Sequence, residues 1–168
     1  VAEYLTGGTC IDYKDVGSRE IDWGNTYEEV ARSVYEERSG NVVELCGFIK
    51  YSDDFGGSPD GLVGEDGIIE IKCPYNSSVH VAYLMMRTAE DLRKVRPEYY
   101  AQIQGNLLAT GRKWAHFISF DPRVQNDAFA LKALHIDRDE EFIGRIKTVL
   151  ERATTAKNEI KANLLKML

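Results

Sequence analysis

Residues 58–73, Ser-Pro-Asp-Gly-Leu-Val-Gly-Glu-Asp-Gly-Ile-Ile-Glu-Ile-Lys-Cys, decide the fold class of this chain. Two apolar runs, around residues 61–63 and 68–73, are separated by Glu-Asp-Gly. Glycine tolerates a positive φ, so this tripeptide predicts a tight turn between two strands. We therefore expect residues 58–73 to form a β-hairpin.

Three charged residues of this hairpin stand where their side chains can share one cleft. Asp60 and Glu70 lie on adjacent predicted strands, and Lys72 follows Glu70 by two residues, on the same face of its strand. Ile71 then faces the opposite way, into the core. Two converging carboxylates cannot both stay ionised without a cation. Mg²⁺ resolves that conflict, since it prefers carboxylate, carbonyl and water oxygens.

This set of residues suggests metal-assisted hydrolysis of a phosphate ester. A magnesium ion on Asp60, Glu70 and the Ile71 backbone carbonyl would polarise a scissile phosphate and lower the pKa of a bound water. Lys72 would orient that water or stabilise charge on the phosphoryl oxygens. A second ion about 3.5–4 Å away would stabilise the leaving oxygen. From the residues alone a plainer interpretation stays open, namely an exposed edge strand that carries a salt bridge.

A second Glu-x-Lys triplet, at residues 159–161, shows that the triplet alone has no weight. It lies in the polar terminal helix, and we interpret it as ordinary helix surface. The triplet at residues 70–72 differs because it lies in an apolar strand, with Pro-Asp upstream at hairpin distance. The context of the triplet therefore points to the site.

The pattern outside the hairpin predicts alternating helices and strands. Apolar residues at i, i+3, i+4 and i+7 predict an amphipathic helix over residues 27–35 that ends at Gly40. Thr26 with Glu29 resembles a capping box at its start. This order of elements predicts an α/β fold with a mixed sheet, in one domain over residues 1–168. The other expected elements are a strand over residues 42–51, a turn over 53–57, a helix from Pro97 to Gly111, strands over 114–120 and 129–136, and a long charged helix from about Asp139.

Composition narrows the class of protein. Hydrophobic residues make up 43% of the 168 residues, enough for a sizeable core. No apolar run approaches the roughly 18 residues of a membrane span, and no signal peptide is recognisable. Three cysteines without CxxC spacing disfavour a disulfide framework or a zinc ribbon. We therefore expect a cytoplasmic protein without a membrane segment.

The net charge of −6 is unevenly distributed along the chain. Residues 1–70 hold 16 acidic and 5 basic residues, whereas residues 71–168 hold 11 acidic and 16 basic residues. The second part could contact a polyanion while the first collects metal ions, although an ordinary solvated surface explains the same charges. If that polyanion is a nucleic acid, Arg112, Lys113 and Arg123 could contact its phosphates, and Tyr100 could pack beside a nucleotide.

Four sequence blocks carry a resemblance to a known family. They are Trp-Gly-Asn-Thr-Tyr-Glu at 23–28, Ser-Pro-Asp-Gly-Leu at 58–62, Glu-Ile-Lys-Cys-Pro at 70–74 and Tyr-Ala-Gln-Ile-Gln at 100–104. In this order they resemble the lambda-type alkaline exonuclease, or YqaJ-like viral recombinase, family of the PD-(D/E)xK nuclease superfamily. Phe-Asp-Pro-Arg at 120–123 resembles the family's strand-end motif. The resemblance implies a restriction-endonuclease-like fold, with a central mixed β-sheet flanked by helices.

The resemblance also implies a role for each matching residue. Asp60 and Glu70 match the metal-binding acids, and Lys72 matches the catalytic lysine. Glu28 matches a helical acid that completes the metal site, although a carboxylate near a helix N-terminus is also favoured by the helix dipole. Gln102 matches a glutamine that contacts the cleaved strand from a flanking helix. For Gln102, plain helix surface is the alternative.

The implied activity is digestion of duplex DNA by an exonuclease, 5′ to 3′, in phage-type recombination. The implied cofactor is Mg²⁺, two ions per site, with Mn²⁺ as a substitute. The implied partners are a single-strand annealing protein and two further copies of the chain, in a ring-shaped homotrimer around DNA. One departure from the family pattern weakens the implied 5′-to-3′ direction of digestion. Residues 1–22 show no counterpart of the family segment that contacts the DNA 5′ phosphate. We expect that segment to be absent or incomplete.

Three alternatives stay open at this point. An endonuclease of restriction or repair type would share the fold and would cut closed circular DNA. A catalytically idle DNA-binding module would share it too, although the intact acids and Lys72 argue against that. A metal-dependent hydrolase of another substrate is the third. A Cas4-like nuclease is disfavoured, because its iron–sulfur cluster needs four suitably placed cysteines.

Overall fold

The hairpin of residues 58–73 lies at the centre of a five-stranded sheet. The structure, a computed structural model, describes residues 19–167, and no helix in that range is long and apolar enough to cross a membrane. The strands are β1 (Val43–Glu44), β2 (Ile49–Ser52), β3 (Phe55–Gly57), β4 (Gly61–Val63), β5 (Gly67–Lys72), β6 (Trp114–Phe120) and β7 (Leu131–Asp137). The helices are α1 (Arg19–Ser39), α2 (Ser77–Leu84), α3 (Ala89–Val95), α4 (Pro97–Thr110), α5 (Asp127–Ala130) and α6 (Glu140–Leu165).

The pairing of strands makes the sheet mixed, in the order β1-β4-β5-β6-β7. β5 pairs antiparallel with β4, where Gly61 opposes Ile69 and Val63 opposes Gly67, so the predicted hairpin is confirmed. On its other side β5 runs parallel to β6. The remaining pairs of this sheet are antiparallel. β5 is therefore a central strand with a partner on both sides.

Side chains alternate between the two faces of β5, and each face packs against different helices. Ile68 joins a core cluster with Leu107 of α4, whereas Ile69 and Ile71 join a second cluster with residues of α1. The predicted inward orientation of Ile71 is confirmed. Glu70 lies between these two isoleucines in the strand, so it points to the α4 face, where it is fully buried.

Several elements begin and end as predicted. Pro97 opens α4, and Gly111 ends it with a φ of 71°. β6 spans the predicted residues 114–120. Asp139 caps α6 by accepting a hydrogen bond from the Phe142 amide at 2.9 Å. The fold is α/β with a central mixed sheet flanked by helices, as predicted.

The start of the first helix differs from its prediction. Arg19 already belongs to α1, so Thr26 lies inside the helix rather than at its cap. The Thr26 hydroxyl donates to the Asp22 carbonyl at 2.7 Å. A Thr or Ser hydroxyl can form this bond to the carbonyl four residues earlier within a helix. The predicted Thr26–Glu29 capping box is wrong, because the apolar pattern begins later than the helix does. Gly40, with a φ of 70°, follows the end of the helix as predicted.

The strand expected over residues 42–51 is interrupted. It splits into β1 and β2, and the turn expected over 53–57 contains β3, which pairs with β2 in a separate two-stranded sheet. Leu45 and Phe48 are apolar but exposed. Their apolar character therefore gave no sign of the break in the strand. A run of apolar residues predicted one buried strand where the chain makes two short ones.

The last strand begins later than predicted. The strand expected over residues 129–136 starts at Leu131. Asn126 caps the short helix α5 ahead of it, because its side-chain oxygen accepts a hydrogen bond from the Ala128 amide at 3.0 Å. One helical turn therefore occupies the first part of the predicted strand.

Candidate active site

Glu70 lies near the carboxyl end of the central strand, held from two elements. Its Oε1 accepts a hydrogen bond from Lys72 Nζ at 2.6 Å, and its Oε2 accepts one from Asn106 Nδ2 at 3.1 Å. The contact with Lys72 follows from the two-residue period of a strand, which puts both side chains on one face. The contact with Asn106 fastens the carboxylate to α4.

Asp60 reaches the same place from the other arm of the hairpin. It directly precedes β4, and its amide donates to the Ile69 carbonyl at 3.1 Å. Its Oδ2 accepts a hydrogen bond from the Ile71 amide at 2.6 Å, which fixes the carboxylate beside the end of β5. The structure thus brings Asp60, Ile71 and Lys72 together around Glu70.

Burial and mutual repulsion change the acidity of these groups. Burial, together with the nearby Asp60 carboxylate, raises the pKa of Glu70 to about 7. Burial also raises the pKa of Asp60, and Glu28 adds to that increase. For Lys72, burial lowers the pKa, but the Glu70 and Asp60 carboxylates outweigh burial and the pKa is raised. The two carboxylates therefore have unsatisfied affinity for positive charge beyond the Lys72 ammonium.

Glu28 faces the cleft from α1. Arg32, one helical turn later, donates to Glu28 Oε1 at 2.7 Å, and the Glu28 side chain is 38% exposed. Glu28 and Lys72 border the same cleft, which has a volume of about 550 Å³. The negative charge of Glu28 disfavours ionisation of Asp60 and so raises its pKa. Glu28 thus lies in the cleft that Lys72 also lines.

Residues that the sequence analysis did not name as candidates surround Lys72 and Glu70. The Tyr99 ring lies against the Lys72 ammonium, with 5.0 Å between Nζ and the ring centroid, which is a cation–π contact. Arg96 also lines the cleft, and its Nε donates to the Tyr83 hydroxyl at 3.1 Å. Asn106 did leave a signal in the sequence, since it is a polar residue on the buried face of an amphipathic helix.

The donor atoms of the cleft suit a magnesium ion. Asp60 and Glu70 present hard carboxylate oxygens at one point, and Mg²⁺ prefers such ligands, with water completing its octahedral shell. Ile71 and Glu28 border the same cleft. In the part of the chain that the structure describes, no three His, Cys, Asp or Glu side chains already form a metal-binding cluster. An ion here would therefore take part of its shell from water or substrate.

Gln102 lies exposed on α4, beside the face that carries Tyr99 and Asn106. Residues three and four apart are neighbours on a helix surface, so Gln102 stands next to both of these residues. This position is compatible with a contact to a bound strand, which stays a prediction.

Arg112 and Lys113 lie at the opposite end of β5 from Lys72. Arg112 Nη1 donates to the Gly67 carbonyl at 2.8 Å, and Lys113 Nζ pairs with Asp66 at 2.8 Å. Gly67 and Lys72 are the two ends of a six-residue strand, which separates them by about 16 Å. Both cations fasten the β4–β5 turn, and any DNA contact they make would lie away from the carboxylates.

Tyr100 belongs to the core. Its side chain is 5% exposed, and its hydroxyl donates to Asp139 Oδ2 at 2.9 Å. The turn of α4 directs the preceding residue, Tyr99, to the cleft, so the contact of Tyr100 with a nucleotide stays a prediction that this burial does not favour. The Tyr100 hydroxyl instead connects α4 to the N-terminal cap of α6.

Arg123 contacts Pro74, one of the residues that line the cleft. Asp121 binds its guanidinium through two oxygens at 2.8 and 3.0 Å, and these hydrogen bonds outweigh burial and hold the pKa of Asp121 at about 2. Arg123 Nη2 also donates to the Pro74 carbonyl at 3.2 Å, and its guanidinium lies 4.4 Å from the Trp23 ring. Pro74 lies two residues after Lys72, the last residue of β5, so a phosphate contact by Arg123 would lie near the carboxylates and stays a prediction.

Comparison with known proteins identifies the family. The profile of the YqaJ-like viral recombinase domain matches residues 3–113. The chain belongs to the YqaJ-like viral recombinase family. The resemblance drawn from the four sequence blocks is therefore confirmed, and those blocks contain Asp60, Glu70 and Lys72.

Solved structures of similar proteins agree with this family. The crystal structure of an alkaline exonuclease, LHK-Exo from Laribacter hongkongensis, is similar over 98% of this chain and 78% of that chain, with 34% identity and a TM-score of 0.79. The structure of LHK-Exo in complex with dAMP gives the same values. A phage-related exonuclease from Haemophilus somnus 129PT shares the fold, with a TM-score of 0.73 and 18% identity over 96% of this chain and 79% of that chain. No curated protein sequence matches significantly.

Proposed function

We propose that this member of the YqaJ-like family is a magnesium-dependent deoxyribonuclease that digests duplex DNA from its ends. The observation that carries the proposal is the pair of carboxylates, Asp60 and Glu70, which lie together beside Lys72, a residue that lines the cleft. Both carboxyl groups have raised pKa values, so a divalent cation beside them relieves an unfavourable charge arrangement. That combination suits hydrolysis of a phosphodiester.

The relatives support the same activity. LHK-Exo is described as an alkaline exonuclease, and it is 34% identical to this chain. Its complex with dAMP contains a nucleoside monophosphate, the chemical class that an exonuclease releases. The cleft of about 550 Å³ lies within the usual size range of small-ligand sites, so it has room for a terminal nucleotide.

Each residue of the cleft has a task in this mechanism. Asp60 and Glu70 would hold magnesium, with Glu28 and the Ile71 carbonyl beside them. When bound, the ion supplies Lewis-acid stabilisation of the charge that develops on the phosphate. Lys72 orients the attacking water or stabilises charge on the phosphoryl oxygens. Its raised pKa keeps Lys72 protonated, which suits electrostatic stabilisation more than proton abstraction.

Three residues, of which Tyr99 and Arg96 line the cleft and Asn106 is buried behind it, would position these groups and the substrate. Asn106 fixes the orientation of the Glu70 carboxylate, and Tyr99 restricts the Lys72 ammonium. Arg96 lines the cleft as a cation, and a DNA backbone phosphate is the natural partner for it. Gln102 would contact the cleaved strand from the exposed side of α4.

Further proposals rest on the family resemblance. We propose two ions per site, exchangeable with Mn²⁺, and one nuclease domain over residues 1–168 in a cytoplasmic protein. We also propose 5′-to-3′ digestion, a ring-shaped homotrimer around DNA and cooperation with a single-strand annealing protein. Cations near the cleft within an acidic chain would reconcile the net charge of −6 with DNA binding. The expectation that the 5′-phosphate segment is absent or incomplete refers to residues 1–22. Residues 1–18 lie outside the described residues.

The test is digestion of two DNA substrates, one linear duplex labelled at either end and one closed circular duplex. We expect Mg²⁺ to support release of mononucleotides from the linear duplex, with the 5′ label released first, while the circle stays intact. EDTA should stop the reaction. Rapid cutting of the circle would indicate an endonuclease instead of an exonuclease. A linear duplex that stays intact at every Mg²⁺ concentration would refute the proposed nuclease activity.

A further inference from the structure

A pair of histidines lies outside the cleft, on the two strands at the other side of the sheet. His116 in β6 and His135 in β7 are directly opposed in the antiparallel register. Their inner ring nitrogens, His116 Nε2 and His135 Nδ1, lie 3.3 Å apart. Trp114 packs against both rings, with centroid distances of 4.7 and 5.6 Å, and so covers one side of the pair.

The outer nitrogen of each ring is held by a different oxygen. His116 Nδ1 lies 2.7 Å from the Tyr35 hydroxyl, and Asn41 Nδ2 donates to that hydroxyl at 2.9 Å. His135 Nε2 lies 3.1 Å from Asp137 Oδ1. Imidazoles that bind metals are commonly oriented in this way, by a hydrogen bond from the nitrogen that does not face the metal. The two inner nitrogens thus face each other at hydrogen-bond distance, with both rings held from their outer sides.

We propose that His116 and His135 form a binding site for a divalent transition-metal ion of intermediate softness, such as Zn²⁺, Ni²⁺ or Cu²⁺. Two imidazole nitrogens on one tetrahedral zinc ion, at about 2.0–2.1 Å each, stand about 3.3–3.4 Å apart. The observed separation of 3.3 Å already matches that value. In the bound state each ring carries its proton on the outer nitrogen, towards Tyr35 or Asp137.

Exposure and charge at the pair favour binding. The His135 side chain is 52% exposed, which leaves an entry path from solvent. Burial, and the neighbouring His135, lower the pKa of His116, so this imidazole is neutral and keeps a lone pair for a metal at neutral pH. Water would fill the remaining coordination positions.

This site differs from the Asp60–Glu70 cleft in place and in chemistry. His116 opposes Ile69 of β5, three residues before the level of Lys72, and it packs towards α1, whereas Glu70 points to α4. Imidazole ligands suit zinc, nickel and copper, while carboxylate and water oxygens suit magnesium. The two sites should therefore load independently from a solution that contains both kinds of ion.

The test is titration of the purified chain, without an affinity tag, with Cu²⁺ in the presence of excess Mg²⁺. We expect one tightly bound Cu²⁺ per chain, with an electron paramagnetic resonance spectrum that shows imidazole nitrogen. The third histidine, His80, has both ring nitrogens engaged, by Ser119 at 2.7 Å and by the Phe129 carbonyl at 2.8 Å, so the signal would come from the pair.

His135→Gln should weaken Cu²⁺ binding at least about 10-fold and remove the imidazole signal, because His135 is a direct ligand. The exposed position of His135 tolerates this change without loss of the fold, and circular dichroism checks this. Asp137→Asn should weaken binding about 10- to 100-fold through the orientation of His135. The Asp60→Asn, Glu70→Gln double variant should retain the signal. An oxygen-only spectrum, or equal binding by wild type and His135→Gln, would overturn the proposal.

Discussion

Asn106 donates to the Glu70 carboxylate oxygen that Lys72 does not contact, with 3.1 Å between Asn106 Nδ2 and Glu70 Oε2. The two donors differ in consequence. Lys72 brings a charge, whereas Asn106 brings a neutral dipole from a separate helix. Both lower the pKa of Glu70, against burial and against the repulsion of Asp60. The protonation state of the site thus depends on a residue that need not contact DNA.

Replacing Asn106 should shift the pH dependence of digestion. Asn106→Leu keeps a similar side-chain volume but removes the donor, so the pKa of Glu70 rises above about 7. The acid limb of the pH profile of kcat/KM should then move to higher pH by about one unit, the equivalent of one hydrogen bond. The same experiment should show little change in the alkaline limb.

Gln104→Met is the matched control for Asn106→Leu. Gln104 is also buried on α4, but its side chain bonds to the Asp137 carbonyl and the Asp139 amide, away from the cleft. It should lower stability without moving the acid limb. An equal shift in both variants would mean that α4 packing, rather than the Asn106–Glu70 bond, sets the pH profile.

The metal-free protein should lose stability as the pH rises through the titration of Glu70. The folded-state pKa is raised, from 4.5 to about 7, so the folded state holds a proton that the unfolded state releases. The stabilisation is complete below about pH 4.5 and is lost as the pH approaches 7. Each pKa unit corresponds to about 1.4 kcal/mol, so Glu70 should contribute up to a few kcal/mol.

Urea unfolding between pH 4.5 and 8 in EDTA measures this effect, with Glu70→Gln as the reference. The variant cannot titrate at this position, so the difference between the two free energies of unfolding isolates Glu70. Mg²⁺ at pH 7 to 8 should stabilise the wild type more than the variant. Parallel profiles for wild type and Glu70→Gln would contradict the raised pKa.

Lys72→Ala should lower the single-turnover rate of digestion by about 10²-fold or more, the usual effect of removing one electrostatic group from a reaction centre. Tyr99→Leu should have a smaller effect, about 2- to 30-fold, because a cation–π contact contributes about 0.5–2 kcal/mol. Lys161→Ala, in the second Glu-x-Lys triplet, should leave the rate unchanged. A rate for Lys72→Ala equal to that of Lys161→Ala would refute the role of Lys72.

Tyr100→Phe should lower stability without weakening DNA binding. The variant loses the hydrogen bond to the Asp139 cap of α6, which should lower the free energy of unfolding by about 1 kcal/mol. The aromatic ring and its packing stay in place. Urea unfolding and duplex binding should be measured together, and weaker binding at unchanged stability would restore Tyr100 as a DNA contact.

Two glycines should respond to alanine in opposite directions. Gly144 is an exposed residue inside α6 with nothing within 4 Å of an added Cβ, so Gly144→Ala should stabilise the protein by about 0.5–1 kcal/mol. Gly111 has a φ of 71°, a left-handed conformation that disfavours a Cβ. Gly111→Ala should destabilise it by about 1–2 kcal/mol. Thermal unfolding of both variants measures the difference, and a common sign would contradict the contrast between the two backbone conformations.

The carboxylate pair could be predicted because it depends on local geometry. Asp60 and Glu70 belong to one hairpin, its register follows from a short glycine-containing turn, and the two-residue period then places Lys72. Pro97 and Gly111 likewise mark the ends of α4 through their own backbone preferences. In each case the residues that predict the feature are only a few positions in the sequence from the residues that form it.

The parts that escaped prediction depend on packing between distant segments. Asn106 reaches Glu70 only because α4 lies across β5, and no pattern within α4 names its target. Tyr99 and Tyr100 are adjacent in the sequence, so their exchange of cleft and core roles depends on the rotation of that helix about its axis. Phe48 is apolar but exposed, so its apolar character wrongly favoured one buried strand across the break between β1 and β2.

The local origin of the carboxylate pair also has a consequence for folding order. Asp60 and Lys72 enclose a short loop of chain, and closing a short loop loses little entropy, so the hairpin can form early. In the hairpin alone, water solvates both carboxylates and their repulsion is weak. Desolvation of Glu70 begins when α4, synthesised later, docks and brings Asn106. We expect a nascent or partly unfolded chain to carry two ordinary surface acids, so the unusual acidity at this site arises only as folding is completed.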